Sequence, residues 1–281
     1  MIHLVFALKL HGIRLPKYIH FNIALHAEII YDCGPEAVKY FEPTPIVRRF
    51  SSHFATACYH GHKFLIQFTQ PDHVNGFYAA CFGGRLEMMG IFTIEKKVMN
   101  RGLYFACKGG KSEVVKYLVG QDAYDWNLGL FGACKGDNIK EIVDMIRRGA
   151  NEFKKAFQIA CKYFCRNAMS FLSERVNGSQ LKLCAASGNF ESINYLIARG
   201  ARDFNGGLYS ACRHGNVDLI DYFLGHGASD LTQALYGACK GNQLAVAKFL
   251  TRIGANPWNI GLYKAVKRKH VGIICFLLRQ M

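Results

Sequence analysis

Cysteine and histidine are the residues of this chain with most to offer chemically, and the cysteines are spaced with a rule. Cys58, Cys81, Cys107, Cys134, Cys161, Cys212 and Cys239 recur at intervals of about 27 residues, with Ala185 and Val266 completing the column. Thiols so arranged could ligate a metal or cross-link the chain. The string Cys58, His60, His62 and the pair Cys161 and Cys165 have the ligand types of a zinc site, but neither has a second half at zinc-finger spacing. Cross-linking fails on distance: packed helices lie roughly 8–10 Å apart, whereas bridged Cα atoms come within about 7 Å. The column therefore reads as small buried side chains that let helices approach closely. No metal and no cofactor is assigned, and a reducing compartment, the cytoplasm or else the nucleus, is expected.

Other strings are weaker still. Gly110-Lys111-Ser112 resembles the end of a phosphate-binding loop, but Phe105 stands where that loop needs glycine and no strand precedes it. There is no nucleophile elbow and no paired-carboxylate motif. Catalysis requires unlike polar groups converging on one pocket. A chain this regular leaves room for that only in the irregular units between Cys161 and Ala185, so no catalytic residue is assigned.

The elements that carry the column follow from one repeat. Leu208, Ala211 and Cys212 give spacings of three and four, closed by Gly215, which predicts a short helix. Leu219, Ile220, Phe223 and Leu224 predict a second amphipathic helix ending at Gly227. Helices of about ten residues do not persist alone in water, so stacking on neighbours must hold them. The position three past the column is glycine in Gly61, Gly84, Gly110, Gly188 and Gly215, as a left-handed turn requires. Asp137 and Asn242 are tolerable there, while Phe164 and Lys269 depart from the rule.

The phrase "ACRHGNVDLIDYFLGHGA" resembles the ankyrin repeat: a helix, a Gly-containing turn, a second helix and Gly-Ala. The resemblance implies an all-α, ankyrin-like helical solenoid of short helix-turn-helix repeats. About six residues are missing between Gly-Ala and the next helix, so the β-hairpin fingers of the family are expected to be truncated. "GANPWNIGLYKA" and "DAYDWNLGLFGAC" are further similar to the ankyrin-like multigene-family proteins of asfarviruses and of other large DNA viruses. That likeness implies engagement of host proteins, with effects on host range and innate antiviral signalling. Residues 1–50, interrupted by Pro16, Pro35, Pro43 and Pro45, read as a divergent N-terminal cap or degenerate repeats, and 51–281 as the repeat array.

Charge then selects the surface. The chain has 35 Lys and Arg against 20 Asp and Glu, a formal net charge of +15. One residue past the column stand Lys108, Lys135, Lys162, Arg213, Lys240 and Lys267, with His60 and His214 one place further on. By resemblance to ankyrin proteins these positions line the concave face and would grip a protein partner with an acidic surface. A helical solenoid that binds nucleic acid is the other reading, since the spacing also permits phosphate contacts. Against both stands the possibility that cations at helix C-termini only complement the dipole. Trp126 and Trp258 occupy homologous places and are packing residues or, if exposed, anchors for a partner. The opening "MIHLVFALKLHGIRL" is broken by Lys9, His11 and Arg14 and is not read as a signal peptide. Nor does any 18-residue apolar run suggest a membrane span. Lys264, Lys267, Arg268 and Lys269 could address the nucleus, but a closing repeat with a polar outer face is the favoured expectation. With the sequence ending at Met281, one helix after the last unit, no C-terminal F-box-like effector segment is expected. Oligomeric state is left open.

Overall fold

Short helices in pairs build everything that the structure, a computed structural model, describes: residues 53–66, 71–256 and 258–280. Among these residues no strand occurs, as truncated fingers require. Two compact units divide the chain, one ending at Gly149 and one beginning at Ala150. The expected N-terminal cap, 1–50, lies outside the described residues.

The first unit comprises α1 (His53–His60), α2 (Lys63–Ile66), α3 (His73–Gly83), a 3-10 helix (Leu86–Ile91), α4 (Lys96–Gly109), α5 (Ser112–Gly120), α6 (Trp126–Lys135) and α7 (Ile139–Arg147). The second comprises α8 (Phe153–Tyr163), α9 (Arg166–Ser173), α10 (Gln180–Ala185), α11 (Phe190–Ala198), α12 (Phe204–His214), α13 (Val217–Gly225), α14 (Leu231–Gly241), α15 (Leu244–Arg252), α16 (Trp258–Lys267) and α17 (Val271–Leu278). In each unit the first helices of successive repeats pack directly on one another, α1 on α3, α3 on α4 and α4 on α6, and likewise α10 on α12, α12 on α14 and α14 on α16. This is the stack of short helix pairs that the periodicity predicts and the ankyrin-like arrangement that the resemblance implies.

Small residues make that packing possible. The Ala and Cys columns are buried in the interior repeats, with Ala106, Cys107, Ala211, Cys212, Ala238 and Cys239 at 0% exposure. Glycine goes further. A Cβ at Gly132 of α6, or at Gly136 just past its end, would collide with the carbonyls of Tyr104 or Lys108 on α4, and one at Gly237 or Gly241 of α14 with those of Tyr209 or Arg213 on α12. Backbones in direct contact gain dispersion energy over their whole length, and any added methyl would have to separate them.

The turn after the first helix is the same throughout. Gly61, Gly84, Gly110, Gly188 and Gly215 have positive φ, but so do Asp137, Phe164, Asn242 and Lys269, with φ between 53° and 61°. Phe164 and Lys269 thus do not depart in conformation, only in residue type. The reason is the closing hydrogen bond: the residue after the turn donates its N–H to the column alanine, as in Lys111 to Ala106, Cys165 to Ala160, Asn216 to Ala211 and His270 to Ala265. Such a bond needs a left-handed residue between. At Cys184-Ala185, where the Ala-Cys order is inverted, the helix ends early and Ser187 donates to Cys184 instead.

Helix starts come from caps that the apolar pattern does not reveal. Asp125, Asp203 and Asp230 accept from the N–H groups of Leu128, Gly206 and Gln233 at 2.8–2.9 Å. This moves the start of α12 to Phe204, ahead of the first apolar set at Leu208. The short connection is held by a side chain from the first helix of the preceding repeat. Asn205 Oδ1 accepts from Ser229 N and Asp230 N at 2.8 and 3.0 Å, and Asn100 does the same for Tyr124 and Asp125 at 2.9 and 3.1 Å. Two backbone donors that a hairpin finger would pair are thereby satisfied by one amide.

In the closing helix pair the exposed side chains are mixed: Tyr263 is 65% and Val266 54% exposed, beside exposed Lys267, Arg268, Lys269 and Arg279. No helix among the described residues is long and apolar enough to cross a membrane.

Candidate functional site

Each basic side chain of interest sits in the last turn of a first helix, and at Lys108 and Arg213 a glycine of the following repeat, Gly136 and Gly241, comes up against the carbonyl. In the first unit Lys108 and Lys135 end α4 and α6, both half-buried. Lys108 Nζ lies 4.9 Å from the centre of the Phe82 ring, one repeat back in the same row. Its carbonyl accepts from Asn138 Nδ2 at 2.9 Å, and that amide also donates to the Cys107 carbonyl at 3.0 Å. The backbone beneath Lys108 is therefore fixed by the following repeat while its charge stays at the surface.

The second unit repeats the pattern. Lys162 is exposed on α8, and its carbonyl accepts from Asn189 Nδ2 at 3.4 Å; the neighbouring Cys161 carbonyl accepts from Ser192 Oγ at 2.5 Å. Arg213 and Lys240 are half-buried on α12 and α14, and Lys267 is exposed at the end of α16. The helices that carry Arg213 and Lys240 touch backbone to backbone, so these cations are adjacent members of one row. Each also lies at the negative end of its helix dipole, which favours a cation there whatever the row binds.

The histidines differ from one another. His214 is exposed and its Nδ1 lies 2.8 Å from the Ser210 carbonyl, one turn back on α12, so it decorates its own helix. His60 is half-buried, edge-on to Tyr59 at 4.8 Å and stacked on His62 at 5.9 Å. Desolvation first, then the charges of His62 and Arg85, push its pKa down to about 4, and His62 is pushed down by burial and Arg85. Both rings are thus held neutral.

Trp126 does not join this row. Trp126 opens α6 while Lys135 closes it, about 13 Å away along the axis at 1.5 Å per residue. It is half-buried with the Arg148 guanidinium 5.6 Å from its ring centre, a packing role. Trp258 opens α16, and its side chain lies outside the described residues.

The remaining strings are absorbed structurally. Gly110 of the Gly-Lys-Ser string is a left-handed turn residue, and Ser112 Oγ donates to the buried Glu141 carboxylate at 2.6 Å. Among the described residues no group of three metal-ligating side chains is assembled, and Cys58, Cys81, Cys107, Cys161, Cys184, Cys212, Cys239 and Cys275 are free thiols. Burial raises the thiol of Cys58 to about 12, of Cys212 to about 12 and of Cys239 to about 11, so they are inert thiols. Burial raises the Cys161 thiol most, and the nearby Cys184 raises it further.

Fold and row together define a helical-repeat protein of ankyrin-like architecture. The human ASB11 ankyrin repeat domain, solved by crystallography, is similar to it at 21% identity, covering 55% of this chain and 84% of that one with a TM-score of 0.35. No family model matches the chain, and no curated protein does.

Proposed function

We propose that this chain is a non-enzymatic protein–protein interaction module that takes an acidic partner along the basic rows at the ends of its first helices. The observation that carries this reading is the recurrence of Lys or Arg at one structural place, Lys108 and Lys135 in one unit and Lys162, Arg213, Lys240 and Lys267 in the other. Cations repeated on a fixed backbone attract an acidic surface over distance and orient it on arrival. Recognition would be by charge and shape, in the cytoplasm. The phrases shared with asfarvirus multigene families extend the proposal to a viral factor that engages host proteins in range control or innate signalling.

The experiment is charge reversal. Lys108→Glu with Lys135→Glu, and Arg213→Glu with Lys240→Glu, are expected to remove the partners recovered by affinity purification from cells and identified by mass spectrometry, with helicity by circular dichroism unchanged. Partners recovered undiminished would discard the rows as the binding surface. Affinity for arbitrary DNA or RNA that falls steeply with salt would favour a nucleic-acid-binding solenoid instead.

A further inference from the structure

One first helix of the second unit is a turn short. The column advances 24 residues from Cys161 to Ala185 where it advances 27 from Cys212 to Cys239, and α10 begins five residues ahead of its column residue where α8, α12 and α14 begin eight ahead. The loss amounts to about one helical turn. Where that turn would stack on the start of α8 there is an open notch of about 360 Å³, bounded by Glu152, Phe153, Lys154 and Lys155 on one side and by Arg175 and Asn177 of the α9–α10 connection on the other. A space of this size suits a small molecule. Its lining carries three cations against one carboxylate, so two positive charges are in excess. Lys155 Nζ lies 3.6 Å from Glu152, which leaves Lys154 and Arg175 as the uncommitted pair. Lys154 is exposed and stands seven residues before the column, the place of Asn100, Asn127 and Asn205, so a cation here replaces a neutral amide. Arg175 is held in place: its Nη1 donates to the Phe171 carbonyl at 2.9 Å and its guanidinium lies 3.9 Å from the centre of that ring.

We propose that this notch binds a phosphate monoester carried on a flat ring. Arginine presents a planar fork and lysine a point charge, and both are suited to phosphate oxygens. The charge of a monoester, about −1.5 to −2 at pH 7, matches the positive excess of the lining. Inorganic phosphate, the size of a few waters of about 30 Å³ each, would leave most of the notch unfilled. The half-buried Phe153 ring supplies a surface on which a flat body can stack. A nucleoside monophosphate and a phosphorylated tyrosine side chain share this chemistry. The site is separate from the basic rows, because Lys162 lies at the other end of α8, about 12 Å along the axis from Lys154 at 1.5 Å per residue.

The test is isothermal titration calorimetry on the whole chain with adenosine monophosphate and, separately, phosphotyrosine. Saturable binding of at least one of them is expected, and at least tenfold weaker binding of adenosine, tyrosine, inorganic phosphate and the ringless ester glycerol 3-phosphate. The tighter of the two ring esters names the source: a free nucleotide in the first case, a phosphorylated tyrosine of a partner protein in the second. Lys154→Asn, which restores the residue of the other repeats, and independently Arg175→Gln should each weaken binding at least tenfold while the melting curve is retained, because both side chains are exposed. Arg213→Glu with Lys240→Glu should leave it unchanged. No saturable binding of either ring ester, equal affinity for inorganic phosphate or glycerol 3-phosphate, or binding that survives both Lys154→Asn and Arg175→Gln would overturn the proposal. So would loss of binding in the Arg213→Glu, Lys240→Glu variant, which would place the ester on the basic row.

Discussion

Gly215 and Phe164 stand at the same place in two repeats of the second unit and adopt nearly the same backbone, with φ of 73° and 53°. One residue reaches the left-handed region at no cost; the other pays a steric penalty of about 1 kcal/mol or more. Each is followed by a residue whose N–H donates to the column alanine, Asn216 to Ala211 and Cys165 to Ala160. The conformation therefore belongs to the repeat and not to the residue. Phe164 recovers part of its cost through its ring, which lies edge-on to Tyr195 at 6.2 Å and under the Arg166 guanidinium at 4.6 Å.

The strongest way to break that comparison is to alter a glycine that is needed for space. Gly241→Ala should destabilise by about 2 kcal/mol or more, since its methyl would meet the Arg213 carbonyl, whereas Gly225→Ala, with nothing nearby, should change the urea midpoint little. Next come the turns. Gly215→Ala should cost about 1 kcal/mol, and Lys269→Gly should gain up to about 1 kcal/mol; Phe164→Gly should fall between, because lost ring contacts offset the relieved backbone. Equal effects at all three turns in equilibrium unfolding would show that residue type does not set the cost of the turn.

The smallest effect concerns the Gly61 turn, which His60 and His62 flank. A histidine whose folded pKa lies below its ordinary 6.5 binds its proton more tightly unfolded, so stability is present above about pH 6.5 and is lost as pH falls toward about 4. Urea midpoints at pH 7 and pH 4.5 should differ less in His60→Gln than in the parent; an identical difference would remove His60 from the acid response.

Much of the fold was legible because a repeat averages out its own noise. Leu208, Ala211, Cys212 and Gly215 recur in kind along the chain, and that recurrence located the helix pairs and the buried column. The start of α12 was not legible from apolar spacing, because Asp203 sets it with one hydrogen bond. The supports Asn100 and Asn205 could have been found by their shared place ahead of a finger-less connection, yet a lone Asn gives no sign of which backbone it will reach. Of the candidate site, the positions of the basic residues were readable from spacing, but the distance between Trp126 and Lys135 was not.

The sequence by itself determined the period, the small-residue column, the excess of positive charge and the places where that charge recurs, since each is a local property repeated along the chain. Only the tertiary structure decided that Phe164 and Lys269 turn like glycine, that Cys184 faces Cys161, and that Val266 lies open where its column mates are buried. Those outcomes depend on what surrounds the residue: a carbonyl of its own helix to close the turn, and from the neighbouring repeat a thiol across the seam or a helix pair to cover the face.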